Sequence, residues 1–378
     1  MEYIILYIIA LFPVLYFDNS KRKDVNNRYL IFEWLCIVCL MGFRYHVGGD
    51  SYNYEVFYDE YPTLANASRF DFLGSEFGIL WDIFTIICKT ISSEFWIQQI
   101  LVSAFVNISI FTFFKKHVSK YFTAIFIYII LFMFKYNTEI LRSSISVAVF
   151  LYAFDYLIKK EWARYYILSF AAILFHYEAV LLLFLPLIHL LKNIRINPSS
   201  AIIMLAIVYS LIISADVLPF MQSVVAFNDV MSRKIEVNVA KVDGIINIYG
   251  FLYNFVVYYF PVCVLIWLRK DRKDIITPFL ILYIVFGLLS SRFSHITGRL
   301  EDYTIFIVIL AFVNQLNIEL KSFRRLTLKI SMILYVVIVF FIQTLPIFPL
   351  VYPYHSIFDP VDEKGRYELY LLKLRNEE

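Results

Sequence analysis

The chain has 378 residues, of which 61% are hydrophobic, and its formal net charge is only +3. Soluble globular domains are about 45–50% apolar, so this excess excludes a compact soluble domain with a polar surface. The composition predicts an all-α, polytopic integral membrane protein that has the lipid bilayer as a partner and no nucleic acid.

Thirteen apolar runs follow one another along the chain. Several are shorter than the roughly 20 residues that a transmembrane helix needs, so their ends must include flanking polar residues. No soluble domain separates them, and we expect residues 1–378 to form a single membrane domain. The runs lie at about 3–17, 29–43, 77–91, 95–114, 121–134, 140–158, 164–176, 178–191, 200–218, 249–268, 276–291, 303–318 and 329–347.

Basic residues cluster in six of the connections between these runs, and the positive-inside rule places all six on the cytoplasmic side. An even number of crossings must separate the loops at 18–28 and 115–120, but three apolar runs lie between them. We therefore expect about twelve transmembrane helices and a re-entrant or interfacial helix near 77–91, a short run that carries Asp82. The alternative is that the run 3–17 fails to cross. The other four basic loops are 159–164, 192–195, 269–274 and 321–329.

This topology predicts three extracytoplasmic segments: a loop at 44–94 that contains the interfacial helix, a loop at 219–248, and a tail at 348–378. Ionisable residues that interrupt apolar runs also fall on this outer side. Arg142 is the clearest example, because it stands two residues inside an apolar run, where an arginine costs roughly 2.5–3.5 kcal/mol on insertion scales. It is either a helix-end arginine that reaches water or pairs with Glu139, or a site that grips phosphate through its planar guanidinium.

Four further residues invite the same comparison between a structural and a functional interpretation. Arg292, His295 and Arg299 are spaced by three and four residues, so they share one face if the segment is helical. They form either a charged loop tip or a diphosphate site. His176 interrupts the apolar stretch 164–191, and is either a turn histidine bonded to backbone or a proton acceptor or phosphate donor.

The stretch F-R-Y-H-V-G-G-D-S-Y-N-Y at residues 43–54 gathers polar chemistry where an apolar run ends. Glycines 48 and 49 remove side-chain bulk and permit positive φ, so the backbone and Asp50 can approach a ligand closely. Asp50 either takes a proton from a bound molecule or holds Arg44 in place. The chain carries no nucleotide fingerprint and no metal-ligand spacing, so we expect neither a metal nor another cofactor.

Three blocks of the sequence resemble one known family. Residues 44–54 resemble the R-x-x-x-G-T-D-Y-x-x-Y signature of the EpsG family of polysaccharide polymerases, relatives of the Wzy-type O-antigen and capsule polymerases. Arg142 with S-S-I-S-V-A-V-F resembles that family's R-Q-x-x-A helix, and a lysine-rich turn and the L-F-H segment that ends in His176 follow it. G-R-L-E-D-Y at 298–303 resembles its late arginine-tyrosine motif. The departures are Gly49 in place of Thr, Ser51 inserted before Tyr52, and Ser143 in place of Gln.

The resemblance implies a metal-independent membrane glycosyltransferase of GT-C-like architecture in the bacterial inner membrane, with its active face extracytoplasmic. Such an enzyme joins oligosaccharide repeat units carried on undecaprenyl diphosphate into O-antigen, capsule or exopolysaccharide, and a chain-length regulator protein is a possible partner. On this hypothesis Arg142 and Arg299 bind the donor diphosphate, with Arg44 and Arg292 as second candidates. Asp50 and His176 are the candidates for the general base, and Tyr52 and Tyr54 shape the sugar site.

Two other classes of function remain open. A lipid-glycan flippase or other polysaccharide transporter would carry ionisable residues deep in its spans and often internal repeats, whereas the charges of this chain crowd one face. A related transferase, such as a ligase or an acyltransferase, is the other alternative.

Overall fold

The computed structural model describes residues 1–18, 23–72, 74–75, 77–191, 253, 255–269, 274–297, 299–316 and 323–360. Within these residues the regular structure is helical and no strand occurs. The expected apolar run 200–218 and the expected outer loop 219–248 lie outside the described residues, as does the part of the expected tail after residue 360.

The α-helices follow the predicted apolar runs closely. Every predicted run except 200–218 coincides with a helix, because a backbone within a bilayer must satisfy its own hydrogen bonds. The α-helices are α1 (Glu2–Tyr16), α2 (Lys23–Gly42), α3 (Ser51–Glu60), α4 (Ile79–Ile91), α5 (Trp96–His117), α6 (Tyr121–Phe134), α7 (Leu141–Lys159), α8 (Trp162–Phe175), α9 (Ile188–Leu191), α10 (Phe260–Leu268), α11 (Ile276–Thr297), α12 (Leu300–Leu316) and α13 (Phe323–Val351).

Shorter helical turns complete the described backbone. Leu64–Arg69 and Tyr177–Leu187 are 3₁₀ helices, and Lys135–Glu139 and Phe255–Tyr259 are π-helical turns. The α3 helix and the 3₁₀ helix after it fall where the sequence analysis expected an irregular loop. That segment alternates polar and aromatic residues, which gave no apolar run, yet Ser51 and Tyr58 are buried on one side of α3.

Four helical stretches of the described chain are long and apolar enough to cross a membrane: Trp96–His117, Tyr121–Glu139, Leu141–Lys159 and Ile333–Val351. Five shorter apolar helices accompany them, at Glu2–Tyr16, Trp162–Phe175, Tyr177–Leu191, Phe255–Leu268 and Ile276–Leu289. These helices make the chain a membrane protein.

The α4 helix differs from its neighbours. Its 13 residues span about 20 Å, less than the roughly 30 Å of a bilayer's hydrocarbon core. Trp81 and Asp82 are buried on one of its faces, while Ile83 and Ile87 are exposed on the other. The helix is therefore short and has one buried and one exposed face.

The centre of the fold is α7, which packs between α5 and α8. Ser143, Ser144 and Ser146 are fully buried on it, and small residues of this kind allow helices to approach closely in a membrane. The Ser146 hydroxyl donates a hydrogen bond to the carbonyl of Ala172 on α8, at 2.8 Å. These contacts fix the start of α7 relative to the end of α8.

Charged and polar residues at the C-terminal ends of α5 and α7 lie close together. Lys116 Nζ lies 2.5 Å from Asp155 Oδ2, and His117 Nε2 lies 3.0 Å from Asp155 Oδ1. The predicted topology places this group on the cytoplasmic side.

The segment after α13 returns to the stretch that follows α2. The amide of Tyr45 donates to the carbonyl of His355, and the amide of Ile357 donates to the carbonyl of Phe43, each at 2.9 Å. The amide of Gly48 donates to the carbonyl of Leu350, also at 2.9 Å. Residues 350–357 therefore hold the backbone of residues 43–48.

Candidate functional site

A tight turn at Gly48-Gly49-Asp50 forms one wall of the site. Gly48 has φ of +102°, and a Cβ built on it would lie 2.4 Å from Thr138 Cβ. The amide of Gly49 donates to Glu139 Oε1 at 2.8 Å. The turn therefore packs against the π-helical turn Lys135–Glu139 that follows α6. Only glycine fits at position 48.

Arg44 lies beneath this turn, and it is not exposed to a ligand. Only 1% of its surface is accessible, and its guanidinium donates to the carbonyl of Met41. Burial lowers the pKa of Arg44 to about 10, opposed by the negative charge of Glu139. The arrangement does not favour Arg44 as a second ligand of a diphosphate, because the π-turn and residues 350–357 enclose it. The carboxylate whose charge acts on the pKa of Arg44 is that of Glu139, and not that of Asp50.

Asp50 is half-buried immediately before α3. Burial raises the pKa of its carboxyl group, while the positive charges of Arg299 and Arg142 and a hydrogen bond with Asn53 oppose that rise. The carboxylate therefore lies within the influence of two arginines that are 92 and 249 residues away in the sequence.

Arg142 occupies the second position of α7, where the free N–H groups of a long helix also favour an anion. Its guanidinium lies over the ring of Phe77, 4.3 Å from the ring centroid. Glu139, the expected alternative partner, instead accepts hydrogen bonds from Gly49 and Thr138. Among the described residues Arg142 has no carboxylate within salt-bridge distance, and its Nε is buried without an acceptor.

His176 ends α8 on the same side of the molecule. It is buried, and its Nε2 lies 3.5 Å from Glu178 Oε1. Burial lowers the pKa of His176, and the Glu178 carboxylate opposes this effect while Arg142 and Arg299 add to it. The lowered pKa favours the neutral imidazole, which has a lone pair that can accept a proton.

Arg299 stands just before α12 and is partly exposed. Its charge acts on both Asp50 and His176. The first turn of α12 is held against α7, because the Tyr303 hydroxyl lies 2.9 Å from the Ser146 hydroxyl. The start of α12 is thus fixed beside the start of α7.

The remaining predicted site residues divide into two groups. Tyr52 is exposed, with its ring centroid 5.8 Å from that of His46, and Tyr54 is partly buried against Trp81. Arg292 and His295 belong to α11, so their segment is helical as expected, but their side chains lie outside the described residues.

Sequence reasoning missed several residues around the site. The Tyr61 hydroxyl donates to Asp82 Oδ1 at 2.5 Å, and burial raises the pKa of Asp82, opposed by Tyr61, Ser75 and Arg142. Phe77, which the Arg142 guanidinium covers, was counted as part of an apolar run. The signal that the sequence offers for this part of the site is Asp82, a charged residue inside that run.

The site therefore combines two guanidinium groups, a half-buried carboxylate and a neutral imidazole. Among the residues that the structure describes, no group of three or more His, Cys, Asp or Glu side chains is placed to hold a metal ion. Two arginines next to a helix N-terminus suit a ligand with more than one negative charge, such as a diphosphate. The carboxylate and the imidazole can each accept a proton from a hydroxyl group nearby.

Comparison with known proteins adds one result. The EpsG family model matches residues 27–356, which is most of the chain. No curated protein and no solved structure matches this chain.

Proposed function

Because this chain belongs to the EpsG family, whose members are Wzy-like polymerases, we propose that it is a glycosyltransferase that polymerises polysaccharide repeat units. Its substrates are oligosaccharides carried on undecaprenyl diphosphate, and it joins them at the extracytoplasmic leaflet of the bacterial inner membrane. The protein crosses the membrane about twelve times with a GT-C-like architecture, and α4 lies along the outer surface. A chain-length regulator protein remains an expected partner.

One observation carries this proposal: four distant parts of the chain bring Asp50, Arg142, His176 and Arg299 together. The charges of both arginines act on Asp50 and on His176. A structural role would be satisfied by pairing each arginine with its own carboxylate. Two arginines near Asp50, neither of them in a salt bridge with it, suit a site that receives an anion.

In the proposed reaction the hydroxyl oxygen of the acceptor sugar attacks the anomeric carbon of the donor sugar. The bond between that carbon and the diphosphate oxygen breaks, and undecaprenyl diphosphate leaves with the electron pair. Arg142 and Arg299 stabilise the negative charge that develops on the diphosphate, without a metal ion. The acceptor's proton passes to a protein base.

We assign Asp50 as this base and His176 as the residue that supports it. Asp50 is half-buried beside both arginines, whereas His176 is only 8% exposed and faces Glu178. A base has to reach the hydroxyl directly or through one water molecule, which favours the more exposed group. Tyr52 and Tyr54, just after Asp50, offer ring faces to the sugars.

The proposal is tested with purified protein in liposomes that contain undecaprenyl-diphosphate-linked repeat units and no energy source. We expect a ladder of polymer lengths. Movement of the lipid-linked glycan between leaflets without elongation would instead identify a transporter.

The diphosphate role is tested with Arg142→Lys, which keeps the charge but loses the paired donors, and we expect polymer formation to fall about tenfold or more. Arg164→Lys is the matched control, because Arg164 is exposed and forms a salt bridge with Glu161 on α8 away from the site. Polymer formation near the normal rate by Arg142→Lys, at equal protein level, would contradict the assigned role.

A further inference from the structure

A cavity of about 610 Å³ lies next to the site, on the other side of the π-helical turn. We call it the slot. Its walls are α6 with its π-turn, α10 with its own π-turn, α11, α12 and α13. The volume is in the range of cavities that bind a drug-sized ligand.

The slot is long and its polarity changes along its length. Residues that line it extend from Glu139 to Ile127 on one wall, about 18 Å of helix, and from Asp302 to Phe312 on another, about 15 Å. Among the described lining residues, every charged side chain lies at one end: Lys135, Glu139, Glu301 and Asp302. The other end is lined by aliphatic and aromatic side chains such as Leu131, Val308 and Val336.

The charged end of the slot is also the edge of the candidate site. Glu139 lines the slot and accepts the hydrogen bond from Gly49, next to Asp50. Asp302 lines it too, and its amide donates to the carbonyl of Arg299 at 3.2 Å. Two residues of the charged end, Glu139 and Asp302, are therefore hydrogen-bonded directly to the glycine turn and to Arg299 of the candidate site.

The charges at this mouth do not provide an anion site of their own. Lys135 forms a salt bridge with Asp302, and Tyr136 also donates to Asp302 at 3.2 Å. Glu139 and Glu301 add two carboxylates to the same rim. Like charges repel, so a phosphate is disfavoured here and favoured at Arg142 and Arg299.

Both π-helical turns of the described chain contribute to the slot, through Lys135 and Glu139 in one and Tyr258 and Tyr259 in the other. Turns of this kind are rare and occur frequently at functional sites, because they widen a helix where a ligand has to fit. Their coincidence at one cavity points to a bound molecule and not to a packing defect.

We propose that the slot holds the isoprenoid chain of the lipid-linked substrate whose diphosphate lies on Arg142 and Arg299. This inference rests on the proposed function. The diphosphate remains with the arginines, the charged rim surrounds the junction of head and chain, and the hydrocarbon enters the apolar depth. Burial of apolar surface supplies the affinity for the chain.

The first test fills the slot without touching its charged rim. Val336 lines the slot on α13, and Val337 is the next residue but is 44% exposed on the outer surface of that helix. Val336→Trp removes room for about two methylene groups or more, and we expect the affinity for undecaprenyl diphosphate to fall about tenfold. Val337→Trp makes the same change and should leave the affinity unaltered. Equal affinities in the two variants would overturn the inference.

The second test does not depend on a variant that folds. Undecaprenyl diphosphate that carries a diazirine on its last isoprene unit is photolysed with the wild-type protein, and the labelled peptides are mapped. Labels on α6, α12 and α13 at residues that line the slot, competed away by unlabelled undecaprenyl diphosphate, are expected. Labels confined to exposed residues such as Ile333 and Phe341 would overturn the inference.

The two proposals fail in different ways. Competed labelling of the slot together with no polymer from lipid-linked repeat units would keep the lipid site and reject the polymerase. A polymer ladder together with labelling outside the slot would keep the polymerase and reject the lipid site.

Discussion

The two ends of α7 differ in how nearby positive charges are paired. At its C-terminal end, Asp155 accepts a hydrogen bond from Lys116, and the charge of the lysine is neutralised locally. At its N-terminal end, Arg142 lies over an aromatic ring and is not paired with a carboxylate among the described residues. The same helix therefore carries a closed ion-pair group at one end and an open cationic group at the other.

The difference separates anchoring from function. Lysines and histidines at a membrane surface are stabilised by water and a nearby acid, and need no ligand. An arginine at membrane depth without such an acid is costly. A bound anionic ligand would compensate the cost of Arg142. Arg299, which also acts on Asp50, supports this explanation. Four predictions test this difference between the N-terminal and C-terminal ends of α7.

Asp50→Asn should have the largest effect, because it removes the proposed base while preserving size and hydrogen bonding. We expect polymer formation to fall about 10²–10⁴-fold. In the wild-type enzyme the base works only when ionised, so activity should fall as the pH decreases through the Asp50 pKa. Burial places that pKa above the ordinary aspartate value, so the loss begins at a higher pH than for an exposed carboxylate. Steady-state rates across pH provide the measurement.

His176→Gln is the comparison for that experiment, since it removes the imidazole from the same cluster. A large loss in His176→Gln with near-normal rates in Asp50→Asn would reverse the assignment of the base.

Arg299→Ala should be next, with a loss of about 10²–10³-fold in rate, the effect of removing one preorganised group that stabilises developing charge. Lys116→Ala, at the closed end of α7, should leave the rate per folded enzyme unchanged. The assay is polymer formation at equal protein level. Similar losses in both variants would mean that the open and closed ends do not differ in function.

Gly48→Ala tests whether the turn itself matters. The positive φ and the contact with Thr138 should make alanine destabilising by about 1–3 kcal/mol and displace Asp50. Gly49→Ala is the control, because Gly49 has no positive φ and a Cβ built on it would come no closer than 3.0 Å to its nearest contact, Glu139. Thermal unfolding in detergent and polymer formation measure the two effects. Equal behaviour of the two variants would show that the turn is not under this constraint.

Asp155→Ala should have the smallest effect and should act only on stability. The Lys116 side chain is half-exposed, so the loss is on the order of 0.2–1 kcal/mol. Activity per folded molecule should not change. A loss of catalysis without a loss of stability would indicate that the closed end also has a function.

The helices were predictable because a membrane imposes a simple rule on composition. Runs of apolar residues located the helices from Glu2–Tyr16 to Phe323–Val351, including the short α4. The α3 helix was not predictable in this way. It is polar on its exposed side, and its position depends on the glycine turn before it.

The site was predictable in part for a related reason. Charge parity predicts that Asp50, Arg142, His176 and Arg299 share one face, and in the structure the charges of both arginines act on Asp50 and on His176. The burial of Arg44 did not follow, because it depends on residues 350–357, about 300 positions later. Likewise, no local pattern in the sequence links Lys135 to Asp302, which are 167 residues apart.

The return of residues 350–357 to the glycine turn also has a consequence for the order of assembly. Residues 43–50 leave the ribosome early, whereas the carbonyls of Leu350 and His355 that receive their amide hydrogens are made near the end of synthesis. Arg44 therefore becomes enclosed only after α13 has been inserted. A chain interrupted before residue 350 would hold every candidate catalytic side chain and still lack the support of the turn that carries Asp50. Completion of the site thus requires that synthesis has passed residue 357.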